Sequence, residues 1–217
     1  MRALLKLSDG ISAVVSRIGK AAAFLFIPMM LVISYDVAQR KYLEYDPGFS
    51  SSELFRTLTS TKLQELEWHL HAVLFLLCLG FAYVRDAHVR IELVRERLGP
   101  RTRVWIELAG CLLFLIPYCY VLIRHGWVFA ERAFISGESS AATTGLSHRW
   151  IIKAFLPFGF LVLLAAGVAV ALKCLVYLFG PPELRGPAGT YAGTHHANLP
   201  SDVVAGAPDD PHSQSPT

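Results

Sequence analysis

Leu63-Gln-Glu-Leu-Glu-Trp-His69 leads into a run without Lys, Arg, Asp or Glu from Trp68 to Val84, and that run ends abruptly at Arg85-Asp-Ala-His-Val-Arg90. From there to Arg103 the chain holds six basic residues: Arg85, Arg90, Arg95, Arg97, Arg101 and Arg103. An apolar segment that opens into a short, strongly basic loop marks a membrane helix delivering its chain to the cytoplasmic side. This reading sets the orientation of every other segment.

Composition agrees with it. Of 217 residues, 53% are hydrophobic and only 17% charged, with a mean hydropathy of +0.44, whereas soluble domains carry roughly 25% charged residues. The fold class expected is an all-α membrane protein. The net charge of +3 is small and the basic residues flank apolar runs, so topology accounts for them and no nucleic acid is implied. Cys78, Cys111, Cys119 and Cys174 lie inside apolar runs, where cysteine acts as a small hydrophobe rather than a disulfide or metal ligand.

Residues 1–18 place Leu4, Leu7, Ile11, Val14 and Ile18 on one stripe, with Arg2, Lys6, Asp9 and Arg17 away from it, and the amphipathic segment is drawn over 1–17. That pattern predicts an amphipathic helix on the inner membrane surface, the alternative being a plain extension of the first span. An uncleaved first anchor is the expected reading of the N-terminus. Four spans follow, at about 18–40, 63–84, 104–127 and 150–179, within a membrane domain of residues 18–179. Pro28 is a candidate kink in the first span, and Pro117 lies in the middle of the third. Asp36 and Arg40, four apart, are placed to pair at the outer end of the first span. The outer loop 41–62 is expected to hold a short helix from Ser52, and the inner loop another over 89–98, ended by Gly99-Pro100. Trp68, Trp105, Trp127 and Trp150 all fall at span ends, as an aromatic belt requires. Residues 180–217, rich in Pro, Gly, Ser and Thr, read as a disordered cytoplasmic tail in which His195-His196 is a solvated pair.

Candidate chemistry is sparse. Glu65 and His69 share a helix face and His71 follows, but histidines two apart diverge by about 200° on a helix and cannot serve one ion. No metal site is therefore expected. Glu65, Glu67 and His69 are expected in the interface, against a neighbouring subunit. His69, His125 and His148 near the outer ends of three spans support a second reading, the membrane-anchor subunit of a haem-containing oxidoreductase. No span carries a charge at its centre or a Gly-rich unwound break, features expected of a transporter's own solute site. The chain is expected to be an accessory subunit, not an enzyme, with no cofactor.

The sequence resembles the small permease subunit, DctQ-type, of tripartite ATP-independent periplasmic (TRAP) transporters over about residues 15–178. The resemblance is densest in Leu63-Gln-Glu-Leu-Glu-Trp-His-Leu70, Arg85-Asp-Ala-His-Val-Arg-Ile91, the Gly110–Pro117 run, and Gly137-Glu-Ser-Ser140 through Gly145-Leu-Ser-His-Arg-Trp-Ile-Ile-Lys153. Glu92 stands where that family usually has Asp, and Ser147 where Pro is common. The resemblance implies a fixed scaffold beside a large permease subunit, which imports an organic acid or related solute on a sodium gradient. A periplasmic solute-binding protein visits the complex transiently. The resemblance also implies a bacterial inner-membrane location; the basic residues of Arg85 to Arg103, with Arg2, Lys6, Arg17 and Lys20, put both termini on the cytoplasmic side. Candidate partner-interface residues are Glu65, Trp68, His69, Gly80 and Gly110. Arg85, Asp86, His88 and Arg90 form a candidate inner-loop motif, with Asp86 and Arg90 expected to pair at i, i+4. Gly137, Glu138, Gly145, Arg149, Trp150 and Lys153 form a candidate outer-loop motif.

Overall fold

A computed structural model describes residues 1–42, 45–87, 97–142 and 144–189. The described residues form helices and connections without a strand. In chain order the helices are α1 (Arg2–Ala23), α2 (Phe26–Lys41), the single turn α3 (Pro47–Ser50), α4 (Glu53–Thr57), α5 (Ser60–Val84), α6 (Pro100–Gly110), α7 (Ile116–Ile135), α8 (Trp150–Phe179) and the single turn α9 (Arg185–Ala188). A π-helical turn, Cys111–Leu115, joins α6 to α7. Four helical stretches are long and apolar enough to cross a membrane: Arg2–Lys41, Ser60–Val84, Pro100–Ile135 and Trp150–Phe179.

Proline explains both irregularities inside these stretches. Pro28 has no N–H to give the Phe24 carbonyl, and Phe24 and Leu25 instead make three-residue bonds back to Ala21 and Ala22 at 3.2 and 2.9 Å. The helix therefore breaks at Phe24–Leu25. Pro117 likewise leaves Leu113 without its usual donor, and the turn before it widens so that Ile116 N–H bonds Cys111. Gly99-Pro100 begins a helix. Gly99 is the N-cap of α6 and Pro100 its first residue, where a missing N–H costs nothing. The expected helix over 89–98 lies almost entirely outside the described residues.

α8 is the centre of the bundle, packed on α1, α5, α6 and α7. Its buried face is built from small and β-branched residues, among them Ala166, Gly167, Ala169, Val170 and Val176. In lipid, where apolar burial does not favour helix association, small residues let backbones approach and gain dispersion contacts. Val104, Leu108 and Cys111 meet Val170, Ala171 and Cys174 in one cluster. Val15 meets Val162 and Ala166 in another. The second cluster seats α1 on the bundle. α1 turns Ser8, Val15, Gly19 and Ala22 inward, and Ser8 Oγ donates to the Ala169 carbonyl at 2.8 Å. Leu7 and Val14 of the apolar stripe stay 55% and 54% exposed, facing outward from the bundle. Past Gly180 the chain folds back rather than leaving the bundle at once: Ala188 is buried and Gly189 lies against Tyr177. Residues 190–217, with His195-His196, are outside the described residues.

Two helices end in the same way. After α5, Ala87 N–H bonds the Ala82 carbonyl at 3.0 Å and Asp86 N–H bonds Tyr83 at 3.2 Å, with Asp86 at φ +56. After α7, Glu138 N–H bonds Ala133 at 3.0 Å and Gly137 N–H bonds Phe134 at 3.1 Å, with Gly137 at φ +59. Both are Schellman caps with a left-handed residue just past the helix. Asp86 therefore ends α5 as its left-handed cap residue; Arg90, its expected i, i+4 partner, and His88 lie outside the described residues. Gly137→Ala puts a Cβ into that left-handed turn and is expected to cost about 1 kcal/mol, read as a lower thermal unfolding midpoint in detergent. An unchanged midpoint would remove the cap's role.

Candidate functional site

A cluster of polar residues lies at the end of the bundle where the α7–α8 connection covers α5. Glu65 sits on the second turn of α5 and reaches both sides of that connection. Its Oε1 accepts from Ser140 Oγ, and its Oε2 accepts from the Leu146 backbone N–H at 2.6 Å. The connection is also closed on itself: Ser140 N–H bonds the Leu146 carbonyl and Arg149 N–H bonds the Glu138 carbonyl, both at 3.1 Å. Gly145 has to be glycine because a Cβ there would lie 2.3 Å from Ser140 Oγ and 2.8 Å from Glu65 Oε2. One carboxylate thus holds a loop lying 75 to 81 residues away in sequence.

The rest of the outer-loop motif buttresses this clamp. Lys153, on the first turn of α8, pairs with Glu138 and lies 3.9 Å from the Phe129 ring centroid. Arg149 lies 5.5 Å over the Trp68 ring, and Trp150 meets Phe134 edge-on at 5.2 Å. All six outer-loop candidates belong to one assembly: Gly137 ends α7, Glu138 and Lys153 tie its end to α8, Gly145 admits the close approach, and Arg149 and Trp150 add ring contacts. His148 takes a left-handed φ of +62 beside them, with its Nδ1 2.9 Å from Ser147 Oγ.

A second polar node lies alongside, between α2 and α5. Asp36 is fully buried, pairs with Arg40 as the spacing indicated, and accepts from Ser60 Oγ at 2.8 Å. Gln39, 2% exposed, donates to the Leu58 carbonyl at 3.1 Å. Together these bonds fix the α4–α5 connection against the end of α2. Sequence reasoning found the Asp36–Arg40 half, which is local. It missed Ser60 and Gln39, whose partners sit 24 and 19 residues away.

The partner-interface candidates divide. Glu65 is engaged by the chain's own loop, His69 Nδ1 bonds the Glu65 carbonyl, and Gly80 is closed over by Val162 and Val15. Trp68, 42% exposed, and Gly110, with open space where a Cβ would go, present surface. In the inner-loop motif, Arg85 is exposed beside the Phe81 ring and Asp86 caps α5. Among the described residues no group of three His, Cys, Asp or Glu is placed to hold a metal ion. At the opposite end of the bundle, Tyr83 Oη donates to Glu107 Oε1 at 3.0 Å, a pairing between α5 and α6 that the sequence reading did not anticipate.

Fold and site together define a multi-pass helical membrane protein whose polar side chains lock its own connections at one end of the bundle. The family model for tripartite ATP-independent periplasmic transporters, DctQ component, matches residues 29–176. The chain belongs to that family, the small membrane subunit of tripartite transporters, which is a transporter component rather than an enzyme family. No curated protein and no solved structure matches the chain.

Proposed function

We propose that the chain is the fixed scaffold of a sodium-driven, binding-protein-dependent TRAP transporter that imports an organic acid or related small solute, the moving solute and ion sites belonging to the large subunit. The observation that carries this reading is where the acidic groups are engaged. Asp36, Glu65, Glu107 and Glu138 each hold another part of the same chain. Groups committed to bracing helices and loops suit a rigid support, whereas a solute or sodium site has to present such groups to a cavity that opens and closes. Contact with the large subunit is assigned to the surface offered by Trp68 and by Gly110 with the exposed Leu113 and Phe114 that follow it. The locked outer connection is the surface offered to the visiting binding protein.

Reconstitution in liposomes with a sodium gradient and the binding protein supplied is the test. This chain alone is expected to give no uptake and the pair with the large subunit full uptake; transport by the small chain alone would end the scaffold reading. The orientation, both termini cytoplasmic in the bacterial inner membrane, rests on the basic inner loop. In a background without native cysteines, a membrane-impermeant thiol reagent added from the periplasm is expected to label Ser147→Cys and spare Arg97→Cys. The reverse pattern would invert the topology.

A further inference from the structure

Between α1 and the inner end of α5 lies a cleft of about 750 Å³ whose lining includes Asp9, Ser12, Ser16, Arg17, Lys20 and Arg85. Its charge is unbalanced. Asp9, the single carboxylate among these residues, is taken by Lys173 at 3.1 Å. Among the described residues, Arg17, Lys20 and Arg85 make no ion pair. Three cations converging on one cleft repel one another, and an anion seated between them relieves that repulsion. Arg85 is steadied by the Phe81 ring, 5.6 Å from its guanidinium carbon, which keeps its charge at the cleft mouth.

The other flank of α1 indicates which anion. There Leu7, Ile11, Val14 and Ile18 line an apolar groove of about 640 Å³ against Phe158 and Leu161 of α8. One helix therefore carries a cationic cleft on one side and an acyl-compatible groove on the other, a pairing that suits the charged head and the apolar tails of one class of ligand. We propose that the cleft binds the phosphate headgroup of an anionic phospholipid of the inner leaflet. Through that contact lipid holds α1 against the bundle. The proposal rests on the inner-face orientation given above. Thiol labelling reports that orientation independently, so a failed lipid titration with the expected labelling removes the site and leaves the orientation standing.

The full chain in mild detergent is titrated with short-chain phosphatidylglycerol, and retained lipid is counted by native mass spectrometry. Arg17→Gln with Lys20→Gln is expected to weaken retention about fivefold per cation removed. Arg97→Gln with Arg101→Gln, an equal charge change on the same side, retains wild-type affinity. Asp9→Asn tightens binding, and Arg17→Lys with Lys20→Arg restores it, which separates charge from misfolding. Equal loss in both Gln pairs, or phosphatidylethanolamine retained as well as phosphatidylglycerol, overturns the proposal. Inorganic phosphate displacing the lipid at matched concentration overturns the lipid assignment in favour of a small-anion site.

Discussion

Glu65→Ala is expected to release the α7–α8 connection from α5 and to lower the stability of the chain by about 2 kcal/mol. Hydrogen bonds to a charged group contribute roughly 1.5–3 kcal/mol each; two are lost here, and because the site is partly solvated, water reaching the freed donors offsets part of the sum. Once the carboxylate is gone, Ser140 Oγ and the Leu146 N–H face an empty space where both were satisfied. Ser140→Ala removes one partner and is expected to cost about half as much. The measurements are the thermal unfolding midpoint in detergent and the rate of tryptic cleavage after Arg149, which rises once the segment swings free. If Glu65→Ala unfolds at the wild-type temperature and Arg149 stays protected, the clamp does not hold the loop. The functional consequence is separable: in the intact transporter the same variant is expected to reduce uptake at limiting binding protein more than at saturating binding protein.

How far the sequence revealed this architecture depended on the range of the interaction involved. The limits of α8, Trp150 and Phe179, coincide with those read from hydropathy, because an uncharged stretch of nineteen residues from Ala154 to Leu172 leaves no other solution. Asp36 and Arg40 pair as the i, i+4 spacing indicated. The short helix after Ser52 is also present, with Phe55 N–H bonding Ser52 Oγ at 3.3 Å. Gly99-Pro100, read as the end of a helix over 89–98, also caps the next one, Pro100–Gly110, because the same two residue types serve both roles.

What stayed hidden was the destination of polar side chains. Glu65 carries every local mark of an interfacial residue, and nothing near it in sequence points to Ser140 or Leu146. The periodicity of α1 identified an apolar stripe but not the side that packs. The inward face is Ser8, Val15, Gly19 and Ala22, chosen by size rather than by hydrophobicity. A hydropathy pattern is blind to that choice because in lipid a leucine gains little by leaving the bilayer for the bundle. Ser8 illustrates the point: its hydroxyl lies fully buried because the Ala169 carbonyl accepts its proton.

The same logic of size yields the largest effect expected in the chain, at the crossing of α5 and α8. There two glycines approach reciprocally. A Cβ on Gly80 would lie 3.0 Å from both Val162 Cγ1 and the Val162 carbonyl, and one on Gly159 would lie 2.7 Å from Leu76 Cβ and 3.0 Å from the Leu76 carbonyl. Because carbonyl oxygens on the opposing backbone set these limits, no rotamer change relieves a side chain placed at either position. Gly159→Leu must push the helices apart and is expected to destabilise the chain by about 3 kcal/mol, the upper end for overpacking. Gly110→Leu faces open space and is expected to leave the unfolding midpoint of the isolated chain unchanged or slightly raised, since leucine favours helix over glycine. In the complex the ranking changes character: Gly110→Leu is expected to weaken co-purification with the large subunit while the chain itself stays folded. Gly159→Leu should lose both together. A Gly110→Leu chain that co-purifies at the wild-type level would move the subunit contact away from that surface. A Gly159→Leu chain with a wild-type midpoint would mean that α5 and α8 are not in backbone contact at this crossing.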